Sequence, residues 1–238
     1  MRTISILLLN VLFALCGYTQ TMTIHYKSGQ NVKLNVKNID YIDFQEKSDE
    51  GTTVSEGEAV DLGLSVLWAS CNVGANSCEQ MGDKFAWGET ETKEYFSERN
   101  YIWNEPETLS FTYLGDDICG TEFDVAHVKW GGEWEMPTRA EFETFKFSFE
   151  DYIWECRNGV YGKLFVAESG ASIFLPAAGT RYCEGLYSRD EECYYWTSSY
   201  DEDHIHLAKY FWNNEGFWNC RGEGHNRCRG LSVRPVIK

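Results

Sequence analysis

The order of periodic segments in this sequence predicts an α+β fold, because one strand precedes two helices and a run of further strands follows them. Three observations carry this prediction. Residues 60–68 alternate between apolar and other side chains, which predicts a half-buried strand or a hairpin bent at Gly63. Two helix starts follow, at Thr121 and Thr138. From Lys163 onward, short apolar runs alternate with glycine-marked turns.

An apolar run at the N-terminus precedes the predicted fold. Arg2 followed by the apolar stretch 4–15 is typical of a secretory signal peptide, so we assign residues 1–19 to one. Cys16 offers an alternative, a lipid-anchored N-terminus, although bulky Leu15 stands where small residues are preferred. No later stretch approaches the roughly 18 apolar residues of a spanning helix. We therefore expect a protein that is secreted or held at the cell envelope or cell surface and does not span the membrane.

A small β segment and a linker come next. Residues 20–45 contain two alternating runs around the turn at 27–30, which predicts a β-hairpin. Residues 46–58 are polar, charged and small, which is the composition of a linker. The main domain is predicted to occupy 59–238.

The best-marked element of the main domain is a helix that begins at Thr138. Thr138 and Glu141 have the spacing of a capping box, in which each side chain accepts from the other residue's backbone N–H. Inside the predicted helix, which runs to about Glu150, the apolar stripe consists of Phe142, Phe145 and Phe149. On local chemistry alone this is a structural helix.

The remaining elements are marked more weakly. Thr121 and Asp124 form a second capping-box pattern and predict a helix that ends at Gly131. Residues 163–167 and 171–175 flank a glycine turn and predict a hairpin. Further strands are predicted at 194–197, 206–211 and 231–235.

The formal net charge of −16 argues against one class of partner. An acidic surface repels phosphate backbones, and no cluster of lysine or arginine offsets it, so we expect no nucleic-acid binding. Acidity is compatible with divalent cations, but solubility explains it more simply. We assign no catalytic residue, no metal ligand and no resident cofactor.

Eight cysteines follow the predicted signal peptide. An even number in an exported chain suggests disulfides, and neighbours in sequence are the simplest pairs: Cys183 with Cys193, and Cys220 with Cys228. Cys71 lies in an apolar run and equally suits a free buried thiol. No cysteine and histidine spacing matches a zinc site.

Six blocks of the sequence carry a resemblance to a known family: residues 60–75, 82–90, 130–142, 172–181, 194–199 and 230–236. Together they resemble the Fibrobacter succinogenes major paralogous domain, which is abundant in exported proteins of Bacteroides relatives. The resemblance implies a C-type lectin-like domain with two helices, antiparallel strands and long loops. It also implies that the first and last strands pair, and that a loop face is available for binding.

Aromatic and amide side chains concentrate near the C-terminus. Sugar recognition uses this combination, because apolar sugar faces stack on rings while hydroxyls bond to amides. The candidate ligand-binding residues are Trp212, Asn213, Asn214, Trp218 and Asn219, with Tyr200 and Asp201 at the margin. Calcium is the alternative, but the Glu-Pro-Asn pattern of calcium lectins does not precede these residues.

The sequence therefore favours an exported, non-catalytic binding module whose ligand is a glycan or a surface protein. A second hypothesis is a structural component of a fimbria-like surface appendage, docked through the strands of residues 21–44. A third follows from relatives of the family that generate formylglycine with paired cysteines. It would assign metal-dependent oxidase chemistry to Cys220 and Cys228, whose spacing departs from that pair.

Overall fold

Seven ranges of the chain are described by the computed structural model: 21–25, 31–35, 57–105, 110–149, 152–216, 218–219 and 224–238. For 21–25, 31–35 and 218–219 this description covers the backbone only. The predicted signal peptide, Cys16 and Cys220 lie outside the described residues.

Strands dominate the described residues. The helices are α1 (Val125–Trp130), α2 (Arg139–Ser148) and a 3-10 turn (Glu98–Asn100). The strands are β1 (Thr21–His25), β2 (Asn31–Asn35), β3 (Ala59–Val60), β4 (Leu67–Ala69), β5 (Asn104–Glu105), β6 (Ser110–Phe111), β7 (Trp134–Glu135), β8 (Tyr152–Arg157), β9 (Val160–Val166), β10 (Ser172–Pro176), β11 (Thr180–Tyr182), β12 (Gly185–Tyr187), β13 (Glu192–Tyr200), β14 (Leu207–Asn214), β15 (Trp218–Asn219), β16 (His225–Asn226) and β17 (Val236–Ile237).

The predicted fold class, an α+β domain of C-type lectin-like type, is wrong. Strands account for 37% and helices for 11% of the structure, so the fold is predominantly β with little helix. The two α-helices have only 6 and 10 residues. The strands form small separate antiparallel sheets, several of them built from strands of two residues. Such strands arise where loop backbones pair, and side-chain periodicity does not mark them.

The chain divides into two compact units, Met1–Asp49 and Glu50–Lys238. In the first, β1 pairs antiparallel with β2, from Thr21 opposite Asn35 to His25 opposite Asn31. All the other described elements belong to the second unit. The domain bounds drawn from the sequence at 20–45, 46–58 and 59–238 remain predictions.

Both helices begin at a side-chain cap. The capping box of α2 is confirmed: Thr138 Oγ1 accepts from the Glu141 N–H at 3.2 Å, and Glu141 Oε2 accepts from the Thr138 N–H at 2.6 Å. At α1 the cap is Asp124 rather than Thr121, because Asp124 Oδ1 accepts from the N–H groups of Ala126 and His127. Helix α1 therefore starts later than its sequence pattern predicts.

The antiparallel pair β13–β14 is the central layer of the second unit. On one face, Tyr195 and Phe211 join a buried cluster with α2, where the Phe211 and Phe142 rings stack with centroids 4.6 Å apart. On the other face, Trp196 joins a second buried cluster and donates its indole N–H to Phe85 O at 2.8 Å. This part of the sheet is therefore covered on both faces.

The last strand closes the unit. β17 pairs antiparallel with β4, Val236 opposite Trp68, and with β7 on its other side. The end of the segment 60–68, which the resemblance implied to be the first strand, therefore pairs with β17, while β3 pairs, among the described strands, only with β4. Within the described residues, no helix is long and apolar enough to cross a membrane.

Candidate functional site

Four aromatic side chains share one face of the sheet formed by β13, β14 and β16. Tyr194 lies opposite Trp212, Tyr210 is two residues from Trp212, and His225 in β16 lies opposite Ala208. Because alternate residues of a strand point to the same face, the four side chains project together. We call Tyr194, Tyr210, Trp212 and His225 the aromatic patch. All four are half-buried, whereas Trp196 on the same face is fully covered.

Three rings of the aromatic patch are nearly parallel. The Tyr194 and Tyr210 centroids are 6.0 Å apart at 11°, and those of Tyr210 and His225 are 4.9 Å apart at 30°. The Tyr194 and His225 centroids are 5.8 Å apart, and the angle between these two ring planes is 20°. Three near-equal separations exclude a simple column of rings. The rings are instead stacked with lateral offsets and form one compact aromatic cluster.

Polar groups border the aromatic patch where the two strands end. Glu192 lies opposite Asn214, and its carboxylate accepts from the Tyr194 hydroxyl at 2.8 Å. Burial and this carboxylate raise the pKa of the Tyr194 phenol above its usual value. Burial, with a smaller contribution from Arg229, lowers the pKa of His225 to about 4, so its ring is neutral near pH 7. The border therefore combines a carboxylate, an amide and a phenol.

The predicted binding residues on β14 divide between the two faces of the sheet, because successive residues of a strand point to opposite faces. Trp212 and Asn214 lie on the face of the aromatic patch, as a binding role requires. Asn213 between them points to the opposite face, where it is fully buried, and its amide atoms have no hydrogen-bond partner among the described residues. Trp218 and Asn219 form β15, which pairs with β14 through Asn213 and Trp212, and only their backbone is described.

The two marginal residues, Tyr200 and Asp201, have structural contacts. Tyr200 is half-buried and meets the ring of Tyr113 edge-on, with centroids 5.3 Å apart. Asp201 is 1% exposed, and its Oδ2 accepts from Lys209 Nζ at 2.8 Å and from the Gly224 N–H at 2.9 Å. These contacts occupy the carboxylate internally, so Asp201 is not open to a ligand.

We expect Asp201→Asn to lower the free energy of unfolding at pH 7 by about 1–3 kcal/mol, because a buried charge-assisted hydrogen bond is lost. Burial opposes ionisation, but Lys209 outweighs it and holds the pKa of Asp201 below its usual value. The carboxylate therefore stabilises the fold above the unfolded pKa of about 4, and this contribution is lost as pH falls through the lower folded pKa.

Urea unfolding at pH 7 and at several acid pH values measures this effect, with exposed Glu202→Gln as the control. The difference in free energy of unfolding between wild type and Asp201→Asn should become smaller toward acid pH. The free energy of unfolding of the control should stay close to that of wild type at every pH. A difference that is independent of pH would contradict the role given to Asp201.

The predicted disulfide between Cys183 and Cys193 is not formed in the structure, where both are free thiols. Cys193 is fully buried within β13, and its thiol donates to Leu175 O at 3.4 Å. Cys183 lies in the β11–β12 turn, where its backbone pairs with Phe96. Cys228 is also free and fully buried, and its predicted partner Cys220 is outside the described residues.

Two further features of the described residues bear on ligand binding. Among the described residues, no three His, Cys, Asp or Glu side chains lie close enough to hold a metal ion. A cleft of about 860 Å³ lies elsewhere, lined by residues 61–64, 147–149 and 166–169. None of the predicted site residues lines this cleft.

Comparison with known proteins adds no relative. No family profile, curated protein or solved structure matches this chain. The resemblance to the major paralogous domain therefore stays a prediction from the sequence. The sequence pattern missed three of the four residues in the aromatic patch, Tyr194, Tyr210 and His225. Only the strand register brings them together.

Proposed function

We propose that the chain is a non-catalytic carbohydrate-binding module of an exported or envelope-held protein, and that the aromatic patch is its binding surface. The observation that carries this proposal is the group of half-buried, nearly parallel rings with a carboxylate and an amide at its border. Export rests on the signal-like segment of residues 1–19.

The chemistry of the aromatic patch suits a sugar. A sugar ring offers an apolar C–H face, which gains from contact with half-buried aromatic rings. Its hydroxyls donate and accept hydrogen bonds, and Glu192 and Asn214 border the rings as polar groups, although Glu192 already accepts from the Tyr194 hydroxyl and Asn214 from the Gly216 N–H. A ligand that was wholly apolar or wholly charged would use only half of this arrangement.

The size of the surface favours a small ligand over a protein. A stable protein interface buries about 800 Å² on each partner. The four rings are already half-buried in the fold, so they alone offer much less than this area. Binding to a surface protein and docking in a surface appendage are the alternative functions that the test distinguishes from sugar binding. Oxidase chemistry receives no support from Cys228, because burial raises the pKa of its thiol to about 12.

The test is an oligosaccharide array followed by calorimetric titration of the strongest sugar. Tyr210→Ala and Trp212→Ala should each weaken binding about two- to tenfold, since each ring contact contributes roughly 0.5–1.5 kcal/mol. Tyr161→Ala is the matched control, because Tyr161 is a 45% exposed tyrosine of another sheet. This variant should bind the sugar with the same affinity as wild type.

Circular dichroism of each variant establishes that it is folded before its affinity is interpreted. A blank array, or a Tyr210→Ala variant that binds as well as Tyr161→Ala, would refute the carbohydrate proposal. Capture of a surface protein that competes with no sugar would favour the protein-binding alternative.

A further inference from the structure

Three reactive side chains meet where the C-terminal strand closes the sheet. Lys238 follows β17, Glu135 lies in β7, which pairs with β17, and Cys119 lies in the turn before α1. The Cys119 thiol is 3.1 Å from Glu135 Oε2, and Lys238 Nζ is also 3.1 Å from that oxygen. Lys238 Nζ and Cys119 Sγ are 2.7 Å apart.

The nitrogen–sulfur distance is shorter than an ordinary hydrogen bond between these elements. N–H···O bonds have donor–acceptor distances of about 2.9–3.0 Å, and sulfur is larger than oxygen, so an N–H···S bond should be longer still. At 2.7 Å the gap is also too wide for a direct bond between nitrogen and sulfur. Two single bonds of about 1.5 Å that meet at one bridging atom span roughly this gap.

We propose that Cys119 and Lys238 form a covalent nitrogen–oxygen–sulfur bridge under oxidising conditions, which makes this cluster a redox-controlled lock on the C-terminal strand. Dioxygen is the oxidant. The S–H bond, one N–H bond and the O–O bond break, while S–O and N–O bonds form. The second oxygen atom leaves as water with the two released hydrogens. Sulfur and nitrogen each give up two electrons, and dioxygen takes up four.

Glu135 positions both partners, because its Oε2 accepts a hydrogen bond from each of them. Burial opposes its ionisation, but hydrogen bonds from Cys119 and Lys238 outweigh this and lower the pKa of Glu135 below its usual value. Burial raises the pKa of the Cys119 thiol to about 12. Contacts with Cys119 and Glu135 outweigh burial and raise the pKa of Lys238. Both partners are therefore protonated near pH 7, and the Lys238 ammonium first releases one proton to solvent water, which leaves the neutral amine that reacts.

The bridge would join positions far apart in the sequence. Cys119 and Lys238 are separated by 119 residues. A crosslink that closes a long loop restricts the unfolded chain and stabilises the folded one. Both groups can be reached by a small oxidant, since the thiol is partly exposed and the lysine side chain is 42% exposed. Oxidation would then lock the β7–β17 pairing, and reduction would release it.

The test is peptide mass spectrometry of the full chain after exposure to air, with dithiothreitol-reduced protein as reference. The bridged product is a pair of peptides, one with Cys119 and one with Lys238, that together gain one oxygen and lose two hydrogens. Lys238→Arg keeps the charge beside Glu135 but removes the amine, and Cys119→Ser removes the sulfur. Neither variant should yield the product.

Oxidised wild type should also unfold at a temperature about 5–10 °C above the reduced form, and Lys238→Arg should show no such rise. Free thiol and amine after oxidation would mean an ordinary hydrogen bond and would overturn the proposal. So would a crosslink that only loses two hydrogens, because that product is a direct nitrogen–sulfur bond.

Discussion

Replacing Arg234 with methionine should lower the free energy of unfolding by about 3–5 kcal/mol. Arg234 is fully buried. Its guanidinium donates to Asn72 Oδ1 at 2.8 Å, to Ala69 O at 2.9 Å and to Phe174 O at 2.8 Å. These acceptors come from separate segments, so one side chain joins the end of β4, the following turn and β10. Methionine fills most of the space but leaves all three acceptors without this donor.

The matched control for this loss is Arg139→Met on α2. Arg139 is partly exposed and forms an ion pair with Glu143 at 2.7 Å, one helical turn away. Exposed pairs of this kind contribute little, so the control should change stability by less than about 0.5 kcal/mol. Urea unfolding followed by tryptophan fluorescence compares the two. If Arg234→Met stays within about 1 kcal/mol of wild type, the guanidinium does not hold these segments together.

The second large effect is expected for Phe142→Ala, at about 3–5 kcal/mol. The Phe142 ring is fully buried between β14 and β4. Its centroid is 4.6 Å from that of Phe211 and 4.9 Å from that of Trp68. Removing the ring leaves a cavity beneath the central sheet, and the rings around it are held by other contacts and can close it only in part.

Phe147→Ala is the control, because Phe147 lies on the same helix but is 76% exposed. Both substitutions change phenylalanine to alanine within α2, so the gain in helix propensity is similar. Denaturant midpoints should separate them clearly, with Phe147→Ala within about 0.5 kcal/mol of wild type. If both variants lost the same free energy of unfolding, α2 would not be held against the sheet through Phe142.

Local chemistry explains which elements could be predicted from the sequence. The α2 capping box and its buried phenylalanines depend on residues three or four apart, so the pattern is visible in the chain. The β9–β10 hairpin is likewise local. For residues 60–68 the sequence left two interpretations, a strand or a hairpin bent at Gly63, and the structure has the hairpin: β3 and β4 pair antiparallel, and residues 61–66 turn between them. The further pairing of β4 with β17 is long-range, and one sequence does not show it.

The candidate site illustrates the same division. Trp212 and Asn214 were found because they are neighbours in a polar, aromatic run. Asn213 was misplaced because alternation along a strand sends it to the opposite face, a rule that the sequence alone allowed us to apply. Tyr194 and His225 could not be added, since they reach Tyr210 only through the pairing of β13 and β16 with β14.

The central claim is that the aromatic patch binds carbohydrate. Its most direct measurement is a nuclear magnetic resonance titration of the protein, isotopically labelled at every residue, with the strongest oligosaccharide from the array. We predict that the largest chemical-shift changes occur at Tyr194, Tyr210 and His225 and saturate together. Unchanged rings at these three positions, with changes confined to residues around the 860 Å³ cleft, would contradict the claim.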